Sequence, residues 1–281
     1  MGAEAIRRQV LACALALGAL TACAGQPRPL DEAADALAPH VSVTWPEEAD
    51  EPVPAVLMFS GCGGVRQVQD DYAQVIAEAG AAAMVVDSHA ARSIPSALAR
   101  PLVCTAALMR GQGRAADVFA AAELARRDPR IDPERIVLLG WSHGGWAVME
   151  ALAFAAEGAP PPGLDAPGED PLSGVRGAAL IYPYCGWPGR ARNREEVWTV
   201  PVAALLVEGD VVAAPGECET VFERQAGAGA QIAVLTETGL THAFDAPDQP
   251  WDPRMEYDAD GAERAHDWFA ARMAGWLEDA R

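Results

Sequence analysis

Residues 136–145 read Ile136-Val137-Leu138-Leu139-Gly140-Trp141-Ser142-His143-Gly144-Gly145. Ile136 to Gly140 is an apolar run bounded by glycine, which predicts a buried strand. Gly144 to Glu157 carries helical periodicity, so strand and helix meet at Ser142. The five residues Gly140-Trp141-Ser142-His143-Gly144 match G-x-S-x-G. In that strand–turn–helix setting the pattern predicts a nucleophile elbow. Its glycines permit the sharp turn that lifts the serine hydroxyl into the open. The helix start behind it presents free N–H groups, which favour developing negative charge.

Outward from this point the pattern repeats. Further strands are predicted at His40–Trp45, Ala55–Ser60, Ala81–Asp87, Val175–Tyr182, Val202–Glu208 and Gln231–Glu237. Helices are predicted at Tyr72–Ala79, Ala115–Arg127, Glu217–Gln225 and Asp260–Leu277. Continuous apolar strands alternating with helices imply an α/β fold. The expected architecture is a doubly wound, mostly parallel sheet with helices on both faces and no separate cap domain. Ser88–Arg114 and Gly158–Gly174 are too long for plain connections, and such loops can lie over the carboxyl ends of the strands.

A serine hydroxyl is a poor nucleophile until a base takes its proton. His242, after the last strand in Thr241-His242-Ala243-Phe244-Asp245, is the candidate base. His143 follows the nucleophile directly, so its ring should point away. His266 reads as an exposed residue of the closing helix, and His89 as a loop or pocket residue. The acid should lie between serine and histidine in chain order. Asp210, after the fifth buried strand, is favoured over Glu208, and Asp245 is the weaker alternative. An oxyanion site needs two donors, expected from the backbone N–H groups of His143 and of Cys62. The latter lies in the loop Ser60-Gly61-Cys62-Gly63-Gly64. That loop lacks the Lys and Ser/Thr of a phosphate-binding motif. No His/Cys spacing suggests zinc, so neither metal nor cofactor is expected. Trp141, Trp187 and Arg66 are candidates for shaping the pocket.

Composition narrows the partners. Arginine supplies all 21 basic residues, against 40 acidic ones, for a net charge of −19 over 281 residues. Such a charge argues against nucleic acid and against a polybasic membrane-binding surface. The start of the chain is different. Arg7-Arg8 precede the apolar run Val10 to Leu20, which is shorter than the roughly 20 residues a membrane-spanning helix needs. This reads as a secretory signal over Met1 to Ala22. Leu20-Thr21-Ala22-Cys23 resembles the lipobox of bacterial lipoproteins, which implies lipidation of Cys23 and a tether over Cys23 to His40. The domain then runs from Val41 to Arg281. With Ala24 after the cysteine, the expected location is the periplasmic side of the outer membrane, with membrane contact only through the lipid. Cys62, Cys104, Cys185 and Cys218 remain. In an oxidising compartment they predict two disulfides, with three connectivities open.

Phe59-Ser60-Gly61-Cys62-Gly63-Gly64, Val85-Val86-Asp87-Ser88, Gly140-Trp141-Ser142-His143-Gly144 and Thr241-His242-Ala243-Phe244-Asp245 together resemble the dienelactone hydrolase family of α/β-hydrolases. The resemblance spans most of residues 54 to 278. It departs at Ser142, where the dienelactone-cleaving enzymes use cysteine, at Ser60, where many relatives have histidine, and at Asp210, which follows Gly209 at once where the family's acid usually comes a few residues after the glycine. It implies the α/β-hydrolase fold and the set Ser142, His242 and Asp210. It also implies hydrolysis of a small-molecule carboxylic ester through an acyl-enzyme. A peptidase of the same fold and an inactive ligand-binding lipoprotein are the alternatives. The resemblance further suggests the pairings Cys62–Cys104 and Cys185–Cys218.

Overall fold

The computed structural model describes residues 26–47 and 51–278. The expected signal segment and Cys23 lie outside the described residues. In chain order the main elements are α1 (Leu30–Leu37), β1 (Val41–Thr44), β2 (Val53–Phe59), α2 (Gln67–Glu78), β3 (Ala82–Val86), α3 (Gly111–Arg127) and β4 (Ile131–Trp141). They continue with α4 (His143–Glu157), β5 (Val175–Ile181), β6 (Val202–Val207), α5 (Pro215–Gly227), β7 (Ile232–Glu237) and α6 (Ala259–Glu278).

The seven strands form one sheet in the order β1-β3-β2-β4-β5-β6-β7. All neighbouring pairs are parallel except β1–β3, where Val41 pairs with Val86 and Thr44 with Ala83 in antiparallel register. β3, β6 and the stretch of β4 from Ile136 onward are apolar because both faces of the sheet are covered there. Side chains alternate across the sheet. Ala55, Leu57 and Phe59 of β2 join Ile136 and Leu138 of β4 in the core under α1, α3 and α4. Val56 and Met58 join Val137 and Leu139 in the opposite core, under α2 and α6. On α3, Ala115, Ala121, Ala122 and Ala125 are all wholly buried, and their small side chains let α3 lie close against α4.

Two segments differ from expectation. Within the stretch read as a tether and arm, Leu30–Leu37 is a helix. It packs against α3 with Ala34 and Leu37 buried, so the folded unit reaches further toward the start of the chain. Gly158–Gly174 does not lie over the carboxyl ends of the strands. Helix α4 rises about 1.5 Å per residue away from Ser142, so this loop sits at the amino-terminal edge. There Leu164 bridges to Arg28, and Arg126 donates to the Pro171 carbonyl. The other long segment, 88–110, follows β3 and does lie at the carboxyl edge. Its short helical turns bring Arg100, Pro101, Cys104 and Thr105 to the pocket described below. Both disulfides form as paired above: Cys62–Cys104 and Cys185–Cys218, each with Cα atoms 5.0 Å apart. Among the described residues no helix is long and apolar enough to cross a membrane.

Candidate active site

Ser142 stands where β4 ends and α4 begins, with φ 48° and ψ −112°. A non-glycine residue in this region is strained, and the surroundings hold it there. A Cβ on Gly144 would fall 1.8 Å from the Phe59 carbonyl oxygen, and one on Gly140 would fall 2.8 Å from the Gly144 backbone. Only glycine lets the turn close so tightly against β2.

The loops after β6 and β7 reach this point from one side. His242 Nε2 lies 2.9 Å from Ser142 Oγ, and His242 Nδ1 lies 2.6 Å from Asp210 Oδ2. Asp210 Oδ1 accepts the N–H groups of Val212 at 2.7 Å and Ala213 at 2.9 Å, so the carboxylate cannot rotate away from the imidazole. All three side chains are buried. Asp210 is thus the carboxylate that meets His242. Glu208 is exposed at the end of β6. Asp245 turns elsewhere: it accepts the Trp141 indole N–H at 3.1 Å, the Tyr72 hydroxyl at 3.3 Å and the Tyr182 hydroxyl. Burial pushes the Asp245 carboxyl above its usual range, partly offset by the Tyr182 and Trp141 donors. The Tyr182 ring packs edge-on against His242, with centroids 4.8 Å apart.

The loop after β2 approaches from the other side. A Cβ on Gly61 would lie 3.7 Å from the Ser142 Cβ, so this backbone runs directly beside the serine. Gly61, Cys62, Ser142 and His242 all line one cavity of about 650 Å³. As the first residue of α4, His143 has no carbonyl one turn back for its N–H to satisfy. Its ring points away from the serine, as expected: Nε2 is 3.2 Å from the Met109 carbonyl and Nδ1 is 3.4 Å from Arg114 Nη1. Burial and the Arg114 cation lower the His143 pKa to about 3, so the ring is neutral.

The remaining candidates sort clearly. Trp141 and Arg66 line the cavity, whereas Trp187 is 76% exposed and lies outside it. His89 is buried and holds the Cys62 carbonyl at 3.1 Å. Burial, and after it the nearby Arg114 cation, lower its pKa. His266 is not an exposed helix residue. It is half-buried with its ring edge-on to Tyr72 at 4.3 Å, because α6 packs on α2 through this contact. Sequence reasoning missed Tyr182 and Arg114. Arg114 falls on the same helical face as Val118, Ala121 and Ala125, all wholly buried. A lone arginine in that apolar stripe is the signal that could have found it. Among the described residues no group of three His, Cys, Asp or Glu side chains is placed to hold a metal ion.

Solved structures share this architecture. The chain has the α/β-hydrolase fold. A protein from Klebsiella pneumoniae provisionally assigned as a dienelactone hydrolase superposes with a TM-score of 0.65 at 17% identity, covering 83% of this chain and 92% of that one. A dienelactone hydrolase-like promiscuous phosphotriesterase from metagenomic libraries gives 0.61 at 17% identity, over 84% and 92%. Esterase 2 of Thermogutta terrifontis, phosphorylated by paraoxon, gives 0.62 at 18% identity, over 84% and 89%. The sequence profile of the prolyl oligopeptidase family matches residues 71–157, which run from α2 through α4 and include Ser142. No curated protein matches the chain in sequence.

Proposed function

We propose that this protein is a serine hydrolase that cleaves small carboxylic esters by acyl transfer, with Ser142 as nucleophile, His242 as base and Asp210 as its orienting acid. The observation that carries this reading is the continuous chain Asp210–His242–Ser142, with links of 2.6 and 2.9 Å, opening on a cavity beside a glycine-rich loop. In the first step Ser142 Oγ attacks the ester carbonyl carbon while its proton passes to His242 Nε2. The tetrahedral oxygen takes hydrogen bonds from the N–H groups of His143 and Cys62. The C–O bond to the alcohol then breaks, and His242 returns the proton to the leaving alkoxide. In the second step a water attacks the acyl-enzyme, again through His242, releasing the acid and Ser142. Asp210 holds the imidazole so that Nε2 faces the serine, and stabilises the imidazolium that forms.

The test is ester hydrolysis with labelling by a fluorophosphonate. Ser142→Ala should lose about 10⁴-fold or more in kcat and all labelling, by analogy with knockouts of equivalent serines. Asp210→Asn should lose about 10⁴-fold while keeping its fold. Residual Ser142→Ala activity within tenfold of the native protein would refute the assignment, and a native protein that never labels would favour a binding role. The family profile over residues 71–157 gives peptide amides as a second substrate class. A panel of esters and matched peptides decides between them. We further propose that the protein is exported and anchored through a lipidated Cys23, at the periplasmic side of the outer membrane. Two disulfides support an oxidising compartment. Cys23→Ala should move the protein from the detergent phase to the aqueous phase, and a native protein already wholly aqueous would refute the anchor.

A further inference from the structure

Arg114 is wholly buried, yet no carboxylate touches it. Its Nε donates to Ser88 Oγ at 2.9 Å, Nη1 to the Ser60 carbonyl at 2.6 Å and Nη2 to Ser60 Oγ at 3.2 Å, while Nη1 also lies 3.4 Å from His143 Nδ1. The neighbouring Asp117 is taken by Arg92, through two bonds of 2.7 and 3.0 Å. A guanidinium removed from water and left with only neutral acceptors is costly to fold around. An apolar chain of similar length would fill the space without that penalty.

The two segments that this fork joins are those that carry the proposed oxyanion donors. Because each peptide is planar and trans, holding a carbonyl also aims the N–H on the opposite side of the same plane. In the loop after β2 three consecutive carbonyls are held. Ser60 C=O accepts from Arg114, Gly61 C=O accepts the Gly64 N–H at 3.2 Å, and Cys62 C=O is met by His89 Nε2 at 3.1 Å. The middle plane carries the Cys62 N–H. On the facing segment His143 donates from Nε2 to the Met109 carbonyl, which leaves Nδ1 free to accept from Arg114.

We propose that Arg114 is a positioning residue for the oxyanion site: it fastens the Ser60-Gly61-Cys62 loop and His143 into one frame and places a buried positive charge, in contact with no carboxylate, on the protein side of the tetrahedral oxygen. This rests on the serine-hydrolase reading above. Donors aimed at charge that appears only in the transition state raise kcat and leave ground-state binding alone. That distinguishes the role from ordinary structural support.

The experiment compares Arg114→Met, Arg114→Lys and Ser88→Ala in ester hydrolysis, with kcat expressed per site titrated by a fluorophosphonate. Arg114→Met should lower kcat by about 10²–10³-fold, the scale of one lost oxyanion donor, with KM changed by less than about threefold. Affinity for a trifluoromethyl ketone should fall by the same factor, while inhibition by the neutral alcohol product stays as in the native protein. Arg114→Lys keeps the charge and one donor and should recover about tenfold of the loss. Ser88→Ala frees one arm of the fork and should cost about three- to tenfold in kcat alone. A kcat per site within about threefold of native in Arg114→Met, or a loss carried by KM, overturns the proposal. If Arg114→Met does not fold, native kcat in both Arg114→Lys and Ser88→Ala overturns it instead. Ser142→Ala runs alongside. If it stays active, the hydrolase reading falls together with this inference. If it is inactive while Arg114→Met keeps native kcat, only this inference falls.

Discussion

Removing the two disulfides one at a time should weaken the fold about equally and the chemistry very unequally. Cys62–Cys104 closes a loop with a sequence separation of 42, and Cys185–Cys218 one of 33. In the chain-entropy account, loops of these lengths confine the unfolded chain by about 4.0 and 3.8 kcal/mol respectively. For a domain of this size each kcal/mol moves Tm by about 2–4 °C. Each paired Cys→Ala variant should therefore melt about 8–15 °C below the native protein. Activity separates them. Cys62 carries the N–H proposed as an oxyanion donor, and its disulfide ties that loop to the 88–110 segment. With the disulfide gone, the Arg114, Gly64 and His89 hydrogen bonds still hold the loop. The expected loss in kcat is therefore about tenfold rather than the 10²–10³-fold of a missing donor. Cys185 and Cys218 are both buried and join the segment after β5 to α5, which meets the site through the Tyr184 N–H on the Ser142 carbonyl and not through the proposed oxyanion loop. Their removal should leave kcat within about twofold. The assays are calorimetric melting at pH 7 and initial rates at saturating ester well below either Tm. A Tm drop under about 2 °C in either variant would refute the loop-entropy argument. Equal losses of kcat would refute the placement of Cys62 at the oxyanion site.

Two further outcomes follow from single residues. Gly144→Ala puts a methyl group 1.8 Å from the Phe59 carbonyl oxygen, backbone against backbone, and should cost about 4 kcal/mol or more or prevent soluble expression. Gly113→Ala, where a Cβ meets nothing within 4 Å, should instead add about 1 kcal/mol. Chemical denaturation of both variants checks the contrast, and a stable Gly144→Ala would show that β2 and α4 can part. His143 stays neutral in the fold down to about pH 3, whereas the unfolded chain protonates its histidine from about pH 6.5 downward. Its contribution is thus fully present above pH 6.5 and is lost on acidification, at up to about 1.4 kcal/mol per pH unit. His143→Gln can keep both ring contacts without titrating, and should flatten the fall in stability between pH 6.5 and 4.5. Identical slopes in urea titrations would refute this.

The parts of the molecule that could be read from sequence are those whose information is local. β2 and the second half of β4 are continuous apolar runs because both faces of the sheet are covered. The turn at Ser142 announces itself through glycines that nothing else could replace. His242 and Asp210 are singled out as candidates by a rule of chain order. Where the information is spread over distant segments, the reading fails. β4 begins at Ile131, five residues before the apolar run, because Val53 reaches back to pair with it across a register shift. The intervening Asp132, Glu134 and Arg135 hide that strand. α1 buries only Ala34 and Leu37, too few apolar positions to stand out from an acidic arm. Gly158–Gly174 looks like an active-site loop by composition, and only the direction of α4 places it at the far edge. Arg114 cannot be interpreted from its neighbours, because its acceptors come from Ser60, Ser88 and His143. In sequence Asp245 is only a rival acid, because its donors Tyr72, Trp141 and Tyr182 come from three distant segments.

On the proposed mechanism, the transition state separates charge across a few ångströms, with an imidazolium forming at His242 and an oxyanion beside His143 and Cys62. The surroundings are polarised to match. On the His242 side stand Asp210, in direct contact, and Tyr182, edge-on to the ring with its hydroxyl bound to the buried Asp245. On the oxyanion side stand the start of α4 and Arg114, the latter still a cation at neutral pH with burial lowering its pKa only to about 10. The net charge of −19 gives no hint of this arrangement. Exposed charges are screened by solvent and salt, whereas two buried groups of opposite sign act through a far less polar medium. The local field at the serine is therefore set by these few buried groups, which is why a neutral replacement at Arg114 is expected to matter for kcat more than any change in the acidic surface.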